Sequence, residues 1–211
     1  MRLYFRNIVL RDYRLGDEED MVRWMTVQTE WHQHDSPWLA EKDLAGFDPE
    51  KYRGMALEYL KHPQRFGERA TLQIEDRHTG RHIGFVSAYY LDKQDDPLPV
   101  GQVSFRRAVG LDICEPAFRG EGRGTHALTA FLQYLFCHSW QRLFLQTWTG
   151  NPRMMHVAQK LGFRPWCTHP EIYTRDGVSY DNITYCLESR DFRQMLSPVE
   201  RAGVWLASFM N

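Results

Sequence analysis

The sequence predicts one mixed α/β domain. Segments with helical spacing and segments with strand alternation follow one another along the chain, and no linker or low-complexity stretch separates two cores. At 211 residues the chain is long for one domain and short for two. An apolar content of 43% and an aromatic content of 14% are enough to fill a core and argue against disorder. We assign residues 1–188 to the domain and residues 189–211 to a helical tail packed on it.

The N-terminal part predicts a strand and two helices. Residues 8–14 form the first strand, and a helix follows whose first turn, residues 17–20, consists of carboxylates that suit the helix dipole. Asp48 and Pro49 provide a cap and a first helical position for the second helix, which ends before His62-Pro63. Residues 31–38 are predicted as the loop between these helices.

The rest of the chain predicts six strands and two helices. Alternation with a period of two begins near residue 71 and indicates a hairpin across the turn at 77–80. Asn151 caps the later helix, and Gly162 is placed just past its end. The predicted elements are strands near 71–75 and 83–91, a strand ending at 111–114, a helix opened by glycines 120, 122 and 124, a strand at 142–148, a helix after Asn151, and strands at 171–175 and 180–187, followed by an apolar tail with Phe192, Met195, Leu196, Trp205 and Leu206.

Composition excludes several classes of protein. No run of 18 apolar residues occurs, so no membrane span is predicted. The first six residues, MRLYFR, reach charge too soon for a signal peptide. The four cysteines lie far apart with no C-x-x-C pair, so neither a zinc site nor a disulfide framework is predicted. We expect a cytoplasmic protein that has no metal and no membrane partner.

Charge is unevenly distributed. Residues 1–121 carry 17 basic and 21 acidic side chains, whereas residues 122–170 carry five basic side chains and no acidic one. Such a block suits an anionic ligand. The net charge of −1 argues against nucleic acid as a partner, because neutralising a phosphate backbone requires many cations on one face.

A glycine-rich turn carries the chemistry. In residues 111–125, LDICEPAFRGEGRGT, a strand ends, a proline stops further pairing, and glycines open a helix whose N–H groups can bind phosphate. A Walker loop is excluded because no lysine precedes Thr125. Gly122, Gly124 and Ala127 meet a loose dinucleotide pattern, but the acidic ribose ligand expected about 20 residues later is missing.

A third phosphate-binding pattern fits. Residues 119–124, RGEGRG, match R/Q-x-x-G-x-G/A, and residues 151–163, NPRMMHVAQKLGF, are similar to N-x-x-(S/A)-x-x-(L/V)-x-x-K-L-G-F. Together these motifs resemble the two signatures of the GNAT acetyltransferases, over about residues 7–188. The similarity is greatest to the branch of ribosomal-protein N-terminal acetyltransferases.

The resemblance implies a mixed, splayed central sheet flanked by helices, with acetyl-CoA as cofactor and coenzyme A as product. It also implies direct attack by a neutral amine on the thioester, with an N–H of the 112–114 strand polarising the carbonyl. The implied coenzyme contacts are the strand end (Asp112, Ile113, Cys114), the loop (Arg119, Gly120, Glu121, Gly122, Arg123, Gly124, Thr125) and Asn151.

The catalytic acid and base of the family are not present. Ala158 stands where many relatives carry a tyrosine that acts as the general acid, and Gln146 stands where some carry a glutamate that acts as the general base. Met154 stands where the nearest branch has serine. Substitute bases are therefore Asp112 on the strand, His34 in the 31–38 loop and His126 in the first turn of the coenzyme helix.

The 31–38 loop supplies the expected acceptor site. In the family this region lines the acceptor cleft, so Trp31, His32, His34, Asp35 and Trp38 are predicted substrate contacts. The two tryptophans either bracket the substrate or anchor the loop. The excess of acids in residues 1–121 favours a cationic acceptor, either a small amine or a peptide N-terminus. A second hypothesis is an acetyl-CoA sensor with little activity. Either a monomer or a homodimer is expected.

Overall fold

The computed structural model describes residues 1–62, 67–198 and 200 of the chain. Within these ranges the chain forms one eight-stranded sheet with the order β1-β2-β3-β4-β5-β6-β8-β7. The strands are β1 (Arg2–Phe5), β2 (Ile8–Arg11), β3 (Thr71–Asp76), β4 (His82–Leu91), β5 (Arg106–Ile113), β6 (Arg142–Trp148), β7 (Arg164–Arg175) and β8 (Val178–Glu188). The helices are α1 (Asp17–Thr26), α2 (Pro37–Ala45), α3 (Pro49–Lys61), α4 (Arg123–Cys137), α5 (Pro152–Lys160) and α6 (Ser189–Met195).

The sheet opens between β5 and β6. Every other neighbouring pair is antiparallel, but these two strands run parallel and pair only at Ala108–Phe144 and Val109–Leu145. Beyond these pairs the strands diverge toward Ile113 and Trp148, leaving one side of β5 without a partner strand. This arrangement confirms the mixed, splayed sheet flanked by helices that the sequence predicts.

Helix α4 forms the centre of the core. All ten residues from Ala127 to Phe136 are buried, and the helix packs on β1, β2, β4 and β5. Its alanine- and leucine-rich sequence favours helix locally, and its apolar surface requires cover on more than one side. The start of this helix is therefore held rigidly at the opening of the sheet.

The capping residues are confirmed. The Asp48 side chain accepts hydrogen bonds from the backbone N–H groups of Glu50 and Lys51 at the start of α3. The Asn151 side chain accepts one from Met154 at the start of α5. Gly162, just past the end of α5, has a φ of 79°, which favours glycine.

Several predicted boundaries are wrong. The first strand ends at Arg11 and not at residue 14, and it pairs with an unpredicted strand, β1. Residues 31–38 are not wholly a loop, since a 3-10 turn spans Thr29–Gln33 and α2 begins at Pro37. Strand β7 begins at Arg164 because it pairs along its length with β8. It lies at the sheet edge with mostly exposed residues, so the apolar alternation that identifies strands is missing.

The C-terminal segment packs on the domain as far as it is described. Phe192 of α6 is 1% exposed and its ring centroid lies 5.4 Å from that of Phe136 in α4. Leu196 is buried as well, whereas Met195 is half exposed. The predicted contributions of Trp205 and Leu206 lie outside the described residues.

Candidate active site

The glycine-rich turn forms a left-handed bend that delivers the chain into α4. Gly120, Glu121 and Gly122 have φ angles of 94°, 49° and 75°. A Cβ atom on Gly122 would lie 3.0 Å from the His126 imidazole, and one on Gly124 would lie 3.1 Å from the Leu111 side chain. The bend and the close packing both require glycine. Because the first N–H groups of a helix have no intrahelical acceptor, this turn is suited to bind phosphate oxygens.

A cavity of about 1630 Å³ lies where β5 and β6 diverge. It is large enough for a coenzyme arm together with a small acceptor. The turn and the 31–47 segment both line it. The predicted site residues that it brings together are Asp112, Ile113, Arg119, Gly120, Gly122, Gly124, Thr125 and Asn151 on the expected coenzyme side, and Trp31, His32, His34, Asp35 and Trp38 on the expected acceptor side.

The backbone of β5 offers donors to this cavity. The N–H of Cys114 bonds to the carbonyl of Ile83 on β4 at 2.9 Å. Since alternate N–H groups of an antiparallel strand point to opposite sides, those of Leu111 and Ile113 face away from β4 toward the divergence. These donors are placed to polarise a carbonyl group. Cys114 itself has 0% exposure and packs with Trp24 and Trp31, so its amide and its thiol both lie away from the cavity.

Three more of the predicted residues, Glu121, Arg123 and His126, also lie outside the cavity lining. Arg123 donates from Nε to Asp76 at 2.8 Å and pairs with Glu121 at 3.0 Å. The His126 ring contacts the Asn7 side-chain oxygen at 2.6 Å. Burial and nearby cations lower the pKa of His126, with Arg6 the first of these cations. The geometry gives His126 a packing position beside the turn, so Asp112 and His34 are the candidate bases that face the cavity.

The acid-free block supplies fewer free cations than its sequence suggests. Of its five basic residues, Arg123 pairs with Asp76, Arg142 with Glu188 at 2.6 Å, and Arg164 with Asp191 at 3.6 Å. Arg153 and Lys160 line the cavity and form no ion pair within the described residues. Counting the basic residues of this block therefore overestimates the positive charge that is available to a ligand in the cavity.

Asp112 lies on the cavity wall and forms no ion pair within the described residues. Its burial, followed by the negative charge of Asp35, raises the pKa of Asp112 well above its usual range, while Arg119 acts in the opposite direction. Burial and the charge of Asp43 likewise raise the pKa of Asp35, against a hydrogen bond from Ser36 that lowers it. A carboxylate destabilised in this way is a proton acceptor of increased strength.

Arg119 connects the turn to residues 29–38, the acceptor segment. Its Nε donates to the Ile113 carbonyl at 3.0 Å, and Nη1 pairs with Glu30 in the 3-10 turn. Its Nη2 is buried without a hydrogen-bond partner in the described structure. Glu115 is 4% exposed and accepts a hydrogen bond from the Trp24 indole at 2.9 Å.

The acceptor segment is tied to the diverging end of β6. The backbone carbonyl of His34 accepts hydrogen bonds from Trp148 Nε1 at 3.0 Å and from Asn151 Nδ2 at 2.7 Å. Burial and the positive charges of Arg119 and Arg153 lower the pKa of His34, which keeps its imidazole neutral near pH 7. Trp31 both lines the cavity and anchors the segment, since its Nε1 donates to the Trp24 carbonyl at 3.1 Å.

Replacing Asn151 with alanine is expected to affect stability and acceptor binding together. The variant loses the cap of α5 and one of the two bonds to His34, so the free energy of unfolding should fall by about 1 kcal/mol and the KM for the acceptor should rise. Urea denaturation and steady-state kinetics measure the two effects. Asp48→Ala removes the comparable cap of α3 and should lower stability alone. Equal acceptor KM values in the two variants would contradict this role of Asn151.

The Gln146 side chain forms hydrogen bonds with three other parts of the chain. Its Nε2 donates to the Asp95 carbonyl at 2.6 Å and to Thr184 Oγ1 at 3.2 Å, and its Oε1 accepts from the Tyr89 hydroxyl at 3.4 Å. Ala158 is fully buried and offers no acid.

Tyr89 is a cavity residue that sequence reasoning missed. Burial and the charges of Asp35 and Asp112 raise its pKa, so its hydroxyl stays protonated.

Two groups of side chains within the described ranges have donor atoms close enough for a metal ion. They are Asp95 with Cys167 and His169, and Asp17 with Asp20 and His82. In the first group Arg106 engages Asp95, and in the second Arg11 engages Asp17. The arginines already neutralise these two carboxylates.

Comparison with known proteins agrees with this geometry. A family model described as an acetyltransferase (GNAT) domain matches residues 7–164. Among curated protein sequences none matches this chain. In the described part of the chain, no helix combines the length and the apolar character needed to cross a membrane.

Solved structures share the fold. An acetyltransferase of the GNAT family from Bacillus anthracis has a TM-score of 0.64 at 14% identity, with 90% of this chain and 99% of that chain covered. RimL, a ribosomal alpha-N-protein acetyltransferase in complex with coenzyme A, has a TM-score of 0.60 at 14% identity, with 89% and 98% covered.

A chimeric spermidine N-acetyltransferase from Vibrio cholerae and hSSAT has a TM-score of 0.59 at 15% identity, with 90% and 99% covered. At these identities the likeness concerns the fold, whereas the family model spans most of the chain. With the glycine-rich turn and the divergence of β5 and β6, these findings establish that the chain belongs to the GNAT family of N-acetyltransferases.

Proposed function

We propose that the protein transfers an acetyl group from acetyl-CoA to the nitrogen of a primary amine, either a small cationic amine or a peptide N-terminus. The observation that carries the proposal is the cavity at the β5–β6 divergence, which reaches both the glycine-rich turn and the carboxyl group of Asp112. A cytoplasmic location, a monomeric or homodimeric state and the absence of nucleic-acid, membrane and metal partners are parts of the same prediction.

The residues fit the coenzyme. The N–H groups at the start of α4 are suited to the pyrophosphate, and Arg153 and Lys160 provide unpaired positive charge on the same cavity. Leu111 and Ile113 direct N–H groups into the space between the diverging strands. When bound there, acetyl-CoA supplies the acetyl group as an activated thioester.

Groups of the chain itself then remove the proton from the acceptor amine and orient the reacting groups. Asp112 accepts a proton from the incoming ammonium group, directly or through water, and leaves the neutral amine that direct attack requires. The N–H groups of β5 polarise the carbonyl oxygen. His34 is the second candidate base, since its neutral imidazole faces the same cavity. Much of the remaining acceleration comes from holding both reactants together.

A sensor that binds acetyl-CoA with little turnover is the second candidate function. Two positions where relatives carry catalytic groups favour this candidate, because neither position offers such a group in this chain. Ala158 has no acidic group, and the side chain of Gln146 is fully engaged by Tyr89, Asp95 and Thr184. This candidate predicts coenzyme binding without release of free thiol.

Thiol release from acetyl-CoA across a panel of amines separates these functions. The panel contains aminoglycosides, diamines, amino acids and short peptides, and calorimetry measures coenzyme binding in parallel. We expect acetyl-CoA to bind and at least one class of amine to give turnover. Binding without turnover on the whole panel would favour the sensor, and no binding would exclude both functions.

A further inference from the structure

The cavity lining carries both signs of charge. Its basic side chains are Arg119, Arg153 and Lys160. Its acidic side chains come from the acceptor segment, α2, the β4–β5 connection and β5, and they are Asp35, Asp43, Asp95, Asp96 and Asp112. The same pocket can therefore attract both an anionic and a cationic ligand.

Four of these carboxylates, Asp35, Asp43, Asp96 and Asp112, form no ion pair within the described ranges, whereas Asp95 pairs with Arg106. Arg119 is close enough to influence Asp112. Asp35 interacts electrostatically with both Asp43 and Asp112. We call these three side chains, which line the cavity from the acceptor segment, α2 and β5, the row of acids.

Several buried carboxylates elsewhere in the described structure face an arginine: Asp17 pairs with Arg11 at 2.7 Å, Asp76 with Arg123 at 2.8 Å and Glu115 with Arg23 at 2.6 Å. Unpaired carboxylates close together are costly unless a ligand neutralises them. The cavity locates the site, and the row of acids sets the charge that a ligand must supply.

Aromatic side chains line the same cavity. Trp31 and Phe85 meet edge to face with ring centroids 5.9 Å apart, and Trp38 packs in the same way, at 6.1 Å, on Trp148, which is not itself a lining residue. Phe47 and Tyr89 complete the lining. Such walls favour methylene groups and can attract ammonium groups through their faces. A flexible aliphatic chain that carries cations fits these surfaces better than a polar sugar does.

We propose that the acceptor is a small aliphatic amine with at least two positive charges, a diamine or polyamine. One ammonium group lies at Asp112, where it loses its proton and reacts, while the other lies between Asp35 and Asp43. This inference rests on the proposed acetyl transfer and names its substrate class. An acceptor with one positive charge, such as a neutral-side-chain peptide N-terminus, leaves part of the row unneutralised.

A matched pair of acceptors tests the charge requirement. 1,6-Diaminohexane and hexylamine have the same carbon chain and differ only in the second amine. We expect kcat/KM for the diamine to exceed that for hexylamine by about 30-fold at low ionic strength, which corresponds to about 2 kcal/mol at 1.4 kcal/mol per tenfold. The ratio should decrease as salt is added.

Variants connect the preference to the row of acids. Asp43→Asn should reduce the diamine-to-hexylamine ratio at least fivefold. Asp48→Asn removes the same charge at the start of α3 and retains a good cap, so it should leave the ratio unchanged. A ratio near one in the unmodified protein, or an uncharged-side-chain peptide as the better acceptor, would overturn this inference while leaving acetyl transfer intact. Lack of turnover with every amine would overturn both.

Discussion

Replacing Gly120 with aspartate is expected to raise the dissociation constant of acetyl-CoA about 100-fold, equivalent to roughly 2.7 kcal/mol. Gly120 lies in the turn before α4 with a φ of 94°, and a Cβ atom there would meet nothing within 4 Å. The variant therefore fits sterically in the unliganded protein. It places a negative charge beside the N–H groups that are proposed to bind pyrophosphate, so repulsion weakens the coenzyme directly. Calorimetric titration with acetyl-CoA measures the change.

Gly101→Asp is the matched control for this prediction. Gly101 has a φ of 92° and equally open surroundings, and it lies in the β4–β5 connection outside the cavity lining. Both variants carry the same backbone strain and the same added charge, so their thermal stabilities should be similar. Only the variant at Gly120 should lose coenzyme affinity. Equal affinities in the two variants would show that the turn does not bind the pyrophosphate.

Replacing Asp112 with asparagine is expected to lower kcat/KM about 100-fold, the usual effect of losing a general base. The shape is nearly retained, but the side chain can no longer accept a proton. In the unmodified protein, kcat/KM should rise with pH through the raised pKa of Asp112, because only the carboxylate form acts. The variant should lose this rise. Rate profiles between pH 5 and 9 with one acceptor would measure it.

The same substitution is expected to increase stability at neutral pH. Since the pKa of Asp112 is raised in the folded protein, folding is favoured while the carboxyl is protonated, and this contribution is lost as pH rises through the folded pKa. Asparagine avoids the ionisation, so the melting temperature of the variant should exceed that of the unmodified protein at pH 8 and not at pH 4.

His34→Gln provides the comparison that identifies the base. If Asp112 accepts the proton, this variant should keep the pH-dependent rise that Asp112→Asn loses. Loss of the rise in His34→Gln with its retention in Asp112→Asn would assign the base to His34. A melting temperature of Asp112→Asn below that of the unmodified protein at pH 8 would contradict the proposed destabilisation by the unpaired carboxylate.

Local features of the sequence determined much of the fold. Asp48, Asn151 and Gly162 act at helix ends through bonds or φ angles that span only a few residues, so their positions could be predicted. The glycine-rich turn could be identified for the same reason. Strand β1 was missed although Leu3 and Phe5 are buried in alternation, because four residues carry little periodic signal.

The composition of the site was decided by tertiary structure. Arg123 and Arg153 belong to one acid-free block, yet one pairs with Asp76 on β3 and the other faces the cavity. Tyr89 joins the site from β4, and no local pattern marks it. The motif residue Asn151 holds the carbonyl of His34, 117 positions away in sequence.

The sequence by itself determined the family, the glycine-rich turn and the helix ends, because these depend on neighbouring residues. Only the tertiary structure decided which charges remain unpaired in the cavity at the β5–β6 divergence. That outcome depends on long-range contacts that neutralise Asp76 and Glu115, whereas Asp112 forms no ion pair within the described residues. Electrostatic compensation acts through space between distant parts of the chain, so counting charges along the sequence cannot predict it.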